Sequence, residues 1–137
     1  MAIIANMHSH YQASDAATLV GKSVDRFVRL GQIIEPDGAS LGKGHKAGYS
    51  FRNLVEAIVA DTLISFGVPP KRIQKYLVDL RSSHSRWLDR DGNSGWIVLD
   101  SEWNWAAGST LGLAMKLLKK PHALIALNIE EIKKQIR

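Results

Sequence analysis

The stretch from Ser50 to Leu80 does most to limit how this chain can fold. Phe51, Leu54, Val55, Ile58, Val59, Leu63 and Phe66 recur at three- and four-residue steps and stop at Gly67. That spacing lines one face of an α-helix and does not fit the alternation of a strand. Ser50 stands where a helix N-cap belongs. Pro69 and Pro70 suit the first turn of a following helix, because the first turn leaves its N–H groups unbonded and proline has none to lose. Behind them Ile73, Tyr76, Leu77 and Leu80 repeat the i, i+3, i+4, i+7 pattern. Two apolar stripes joined through Gly67, Val68 and Pro69 are expected to fold back on each other as a core hairpin.

Upstream lie two shorter helical segments. Ser14 is a candidate N-cap for a helix from Asp15 to Val20 that Gly21 would end, with Asp15 complementing the helix dipole. Ser23 is a candidate cap for a second helix from Val24 to Leu30, with Gly31 as its stop. The connection Gly21-Lys22-Ser23 is short enough to hold the two helices at a steep angle, the arrangement of a helix-turn-helix. Lys22, Arg26 and Arg29 then fall at i, i+4 and i+7, weakened by Asp25 on the same side, while Val24, Phe27 and Val28 point another way. From Ile33 to Gly48 the run IIEPDGASLGKGHKAG reads as a hairpin or loop with a basic tip at Lys43, His45 and Lys46.

After Arg81 the character changes. SSHSRWLDRDGNSGWIVLDSEWNW carries four tryptophans, an Asp91-Gly92 turn signal and a β-prone run from Trp96 to Leu99, so two or three short strands are expected. Leu111 to Leu118 is open between a short helix and a buried strand. Ala123 to Leu127 reads as a strand, and Asn128 with Glu131 three residues on opens a terminal helix from Ile129 to Ile136. The fold class expected is α+β: a helical domain over 11–81 and an α+β segment over 82–137. Trp96, Trp103 and Trp105 with Ile97, Leu99 and Leu124 look like too much apolar area for that segment to hide alone, so it is expected to make a homodimer.

The formal charge of +5 favours a polyanionic partner, and the excess is spread over both halves, with 10 Lys or Arg against 7 Asp or Glu in residues 1–81 and 8 against 6 in 82–137. No cysteine is present, which removes disulfides and thiolate metal sites and fits a reducing compartment. MAIIANMHSHYQ has no basic n-region and only a short apolar run, so a cytoplasmic location is expected.

Two helices, a glycine-rich basic hairpin, then Y-S-x-x-x-L before an apolar helix and G-V-P-P-K-R-I-x-x-Y-L: in this order residues 11–81 resemble the MerR-type winged helix-turn-helix, with an excisionase-like shortening after the second helix. The matching residues are Tyr11, Ala17, Gly21, Ser23 and Gly31, then Tyr49, Leu54, Leu63, Gly67, Ile73 and Leu77. The resemblance implies binding of double-stranded DNA, with helix 24–30 in the major groove and the 36–48 wing against the backbone, as in a transcriptional regulator. The candidate contacts are Lys22, Ser23, Arg26, Arg29, Lys43, His45, Lys46, Tyr49 and Arg52. Arginine can fork onto guanine, and lysine serves as a point charge on phosphate. The alternatives are an antitoxin-like protein-interaction module or an excisionase-like architectural factor.

Other motifs fall short. GASLGKG lacks the glycine that a phosphate loop needs at Asp37 and the Ser or Thr it needs at Gly44. DRDGNSG has oxygen ligands at Asp89, Asp91 and Asn93, but Ser94 replaces the sixth-position glycine of a calcium loop and Asp100 its final glutamate, so a polar turn is expected. The five histidines are scattered without a helical i, i+4 pair. No nucleophile, base and orienting group stand at recognisable spacing, so neither an enzyme nor a cofactor is expected, and a small-molecule effector is left open.

Overall fold

The computed structural model describes residues 11–38, 48–119 and 122–136. It is α+β, with six helices and one three-stranded antiparallel sheet among the described residues. In chain order the elements are α1 (Ala13–Val20), α2 (Val24–Leu30), α3 (Phe51–Ser65), α4 (Pro70–His84), a 3-10 turn (Ser85–Leu88), β1 (Trp96–Leu99), β2 (Trp105–Gly108), α5 (Leu111–Leu117), β3 (Ile125–Asn128) and α6 (Ile129–Lys134).

Local chemistry accounts for most boundaries. The Ser50 hydroxyl accepts from Asn53 N–H while the Asn53 side chain accepts from Ser50 N–H, a reciprocal cap that starts α3. Pro70 occupies the first turn of α4. Gly21 ends α1 in the left-handed region at φ 71°, where a side chain would be strained. Two boundaries differ from expectation, the start of α1 and the opening and end of α6, while α2 ends at Gly31 as expected. The helix α1 begins at Ala13, capped by the backbone of Gln12, so Ser14 lies inside it. Gly31 keeps a right-handed φ of −62°; a Cβ there would come within 2.8 Å of the Tyr49 hydroxyl, so the residue serves close packing. Asn128 caps α6 by accepting from Glu130 N–H, one residue short of the expected capping box, and the helix stops at Lys134.

In the sheet β1 is central, Ile97 facing Ala107 on β2 and Leu127 on β3. The ambiguous segment 111–118 is helical, carrying the chain from β2 across to β3 on the far edge. Strand periodicity then sorts β1 between two cores. Val98 joins Ala106, Ala114 and Leu118 beneath α5, while Ile97 and Leu99 join the main core. That main core is continuous along the chain: Phe27, Leu54, Leu63, Ile73 and Leu80 share it with Leu88, Leu99, Ile129 and Ile132. The expected division near residue 81 therefore does not coincide with any break in packing, and α4 itself runs through it to His84.

The tryptophan segment needs a related correction. Ile97 and Leu99 are buried within the chain, and Trp103 and Trp105 pack against its core, so these residues cannot motivate a dimer. Leu124 does remain exposed. No helix among the described residues is long and apolar enough to cross a membrane.

Candidate nucleic-acid interface

The helices α1 and α2 meet through Gly21-Lys22-Ser23, and Ser23 Oγ accepts from Arg26 N–H at 3.1 Å, fixing the start of α2. Phe27 and Leu30 turn inward. Val24 and Val28, 46% and 47% exposed, face outward with Asp25 and Arg29, so of the three apolar residues expected to point away from the cations only Phe27 is buried.

The three cations expected to act together are split. Asp61 on α3 lies against the start of α2, where its carboxylate takes Lys22 Nζ at 2.8 Å and Arg26 Nε at 2.7 Å. Burial pushes the Asp61 pKa up, but the hydrogen bonds and charges of Lys22 and Arg26 outweigh it and hold the carboxyl below its ordinary value. Lys22 and Arg26 thus tie the turn to α3, and Arg26 is half-buried instead of free at the surface. Arg29 is exposed and makes no ion pair with a described residue. It lines an open groove with Gln32, Ile33, Lys71 and Gln74, so the first turn of α4 brings a cation beside α2 that sequence spacing did not suggest.

Tyr49 is 8% exposed, and its ring stands edge-on to Phe27 at 4.8 Å and 83°. It is placed as a packing residue, with burial raising its phenol pKa. Arg52 pairs with Asp89 at 2.7 Å, and next to it Arg90 sits 4.2 Å over the Phe51 ring. The start of α3 is therefore held by the turn 89–90, which occupies Arg52.

Lys43, His45 and Lys46 lie outside the described residues, but the roots of their segment are defined. Gly38 and Gly48 form an antiparallel bridge, and Tyr11 bridges Tyr49 beside it. Beneath the roots is a polar cluster that sequence reading missed. Arg81 reaches Glu56 Oε2 through Nε and Oε1 through Nη2, both at 2.8 Å, and Asp37 Oδ1 through Nη1 at 2.6 Å. Asn53 donates to Glu35 O and Glu56 Oε1, each at 2.9 Å, and accepts from Asp37 N–H at 2.8 Å. The Ser50 hydroxyl donates to Asp37. Burial pushes the Glu56 carboxyl up, partly offset by Arg81, while the bonds from Arg81 and Ser50 outweigh burial at Asp37 and hold it down. Arg81 is held further toward its charged form, chiefly by Glu56. A scattering of Asp, Asn, Glu and Arg in sequence thus forms one clamp on both legs of the 36–48 segment. Among the described residues no group of three or more acids or histidines is placed to hold a metal ion.

Comparison of the chain with protein-family models finds no match, and comparison with curated proteins finds none.

Proposed function

We propose that this chain is a sequence-specific DNA-binding protein, a MerR-like transcriptional regulator of the cytoplasm, which places α2 in the major groove and the 36–48 segment against the backbone. The observation that carries the reading is the outward face of α2. Arg29 stands there, exposed and without an ion pair to a described residue, on the same outward side as Asp25 and the exposed Val24 and Val28, whose methyl groups are of the kind that contact thymine, on a short helix locked at its start by Ser23 and Asp61. The clamped hairpin roots beside it would present Lys43, His45 and Lys46 to phosphates. Neither a cofactor nor catalysis is required for this role.

Selection of bound sequences from random duplex DNA tests it. A defined motif is expected, and Arg29→Ala should weaken binding to the selected site by about 1 to 3 kcal/mol and relax preference at one position. Lys43→Ala with Lys46→Ala should weaken selected and random DNA together, flattening the slope of log affinity against log salt by about 0.9 for each lost phosphate contact. Failure to enrich any sequence would sink the proposal.

A second reading, a protein-interaction module, draws on α5. Leu113 and Leu117 lie one turn apart there and are exposed, as is Leu124 beyond the helix. Within the DNA-binding reading the same surface would serve a homodimer, since paired half-sites give one short recognition helix adequate affinity.

A further inference from the structure

A second groove, of about 480 Å³, opens where α4 faces the loop between β1 and β2. One wall is aromatic. The rings of Tyr76 and Trp105 lie 5.3 Å apart and 31° from parallel, so the buried Tyr76 ring backs the half-buried Trp105 indole, with Trp103 beside them. The other wall is cationic: Lys71, Arg72 and Lys75 from α4 and Lys119 beyond α5, with the Asp79 carboxylate in the lining and the charges of Arg72 and Asp100 both acting on Tyr76. The first turn of α4 has no acidic residue and no side-chain cap, so the positive end of its dipole adds to Lys71 and Arg72 instead of being neutralised.

Trp103 is held in place at a conformational cost. Its φ of 64° makes it the one non-glycine in the left-handed region among the described residues, a conformation that bulky side chains avoid. The loop around it enforces this. The fully buried Asp100 accepts from Glu102 N–H at 2.9 Å, and from Asn104 N–H and the Asn104 side chain at 3.0 Å each. Trp103 N–H donates to Asp100 O at 3.2 Å, and the Tyr76 hydroxyl donates to Trp103 O. Asparagine, which tolerates this backbone region, stands one position later, so the loop presents an indole where a smaller residue would be unstrained.

Partly exposed indoles facing several cations, in a groove of ligand size, suit a molecule that joins a planar ring to an anion. We propose that this groove binds a nucleotide, its base stacked on the half-buried indoles of Trp103 and Trp105 and its phosphate among Lys71, Arg72, Lys75 and Lys119. The unit can be a free nucleotide or part of a single strand. The site is separate from the outward face of α2.

Calorimetric titration of the full chain tests this, with AMP, adenosine, inorganic phosphate and a ten-nucleotide single-stranded DNA as probes. AMP is expected to saturate one site, with adenosine and phosphate each at least about tenfold weaker, because each lacks half of the recognised chemistry. The oligonucleotide separates the sources: affinity at least tenfold above AMP with a steeper salt dependence assigns the site to single strands, and affinity equal to or below AMP assigns it to free nucleotides. Trp103→Asn suits the backbone, which offsets part of the packing lost with the indole, and should keep a cooperative melt while weakening AMP about tenfold, and Lys75→Ala should weaken it with the melt unchanged. Arg29→Ala should leave AMP binding unaltered, which keeps this result independent of duplex recognition. Absence of saturable binding of AMP and of the oligonucleotide at millimolar concentration, or unchanged affinity in both groove variants, would overturn the assignment.

Discussion

At the scale of single residues, Asp61 decides what the cations near α2 are free to do. Its carboxylate holds Lys22 and Arg26 at once, and both partners are only half-covered, so the pairing is worth modest stability. Asp61→Asn is expected to lower stability at neutral pH by about 1 kcal/mol. Because the folded-state pKa lies below the ordinary carboxylate value, this contribution is complete above that value and is lost as pH falls through the lower, folded one. Melting curves of the two proteins should therefore converge in strong acid. The same substitution frees two cations beside α2, so affinity for random duplex should rise and its salt dependence steepen, by up to about 0.9 in log–log slope for each phosphate newly contacted. Unchanged salt dependence would mean that neither side chain can reach DNA. None of this could be read from helical spacing. Helical spacing alone sets Lys22 and Arg26 on one cationic face with Arg29, since it carries no information on the neighbour packed there, and Asp61 stands 35 residues beyond Arg26.

At the scale of elements, the two strongest periodic segments were legible in type and in most of their buried faces, although Phe66, expected on the apolar stripe of α3, caps its end and is 55% exposed. Ile73, Tyr76, Leu77 and Leu80 are the buried face of α4, and α3 starts at its capping serine, because burial of an apolar stripe and reciprocal capping are both local in sequence. What joins the elements was not legible: Arg81, at the expected boundary, is the residue that fastens α3 and α4 to Asp37 at the root of the 36–48 segment. Its removal would leave Glu56, with a side chain 3% exposed, as a buried carboxylate without its cation. Arg81→Ala should cost about 3 kcal/mol at neutral pH, and Glu56→Gln, which keeps a neutral partner for Asn53, distinctly less. The pH dependence has a definite sign. Burial raises the folded-state pKa of Glu56, and losing Arg81 must raise it further, so the folded state takes up a proton before the unfolded chain does. The cost of Arg81→Ala should shrink as pH falls toward the ordinary carboxylate range, which denaturant titrations at several pH values would detect. A cost independent of pH would show that Glu56 is not the residue left exposed to the loss.

At the scale of the whole molecule, the continuous core changes what truncation and association should do. Ending the chain after Arg81 would cut α4 and remove Leu88, Leu99, Ile129 and Ile132, all buried with Leu54 and Ile73. The fragment should lack a cooperative thermal transition rather than behave as a free-standing DNA-binding unit, and a sharp two-state melt would contradict that. Association must instead be sought on the surface that stays open after folding. Leu113 and Leu117 are one helical turn apart on α5, Leu117 is 67% exposed and Leu124 is 64% exposed, while the other side of α5 is spent on Ala114 and Val98. A two-fold contact through these leucines would cover apolar area that the fold leaves in water and would set two copies of α2 for paired half-sites. Light scattering on the intact chain at micromolar concentration should give twice the 15.2 kDa of one chain. Leu113→Glu with Leu124→Glu should return it to the single-chain mass with little change in melting temperature, because both side chains are exposed in the monomer. The dimer should bind its selected duplex more tightly than this monomeric variant, by a factor that falls when one half-site is scrambled. A single-chain mass for the unaltered protein would remove the dimer and leave the leucine surface to a different protein.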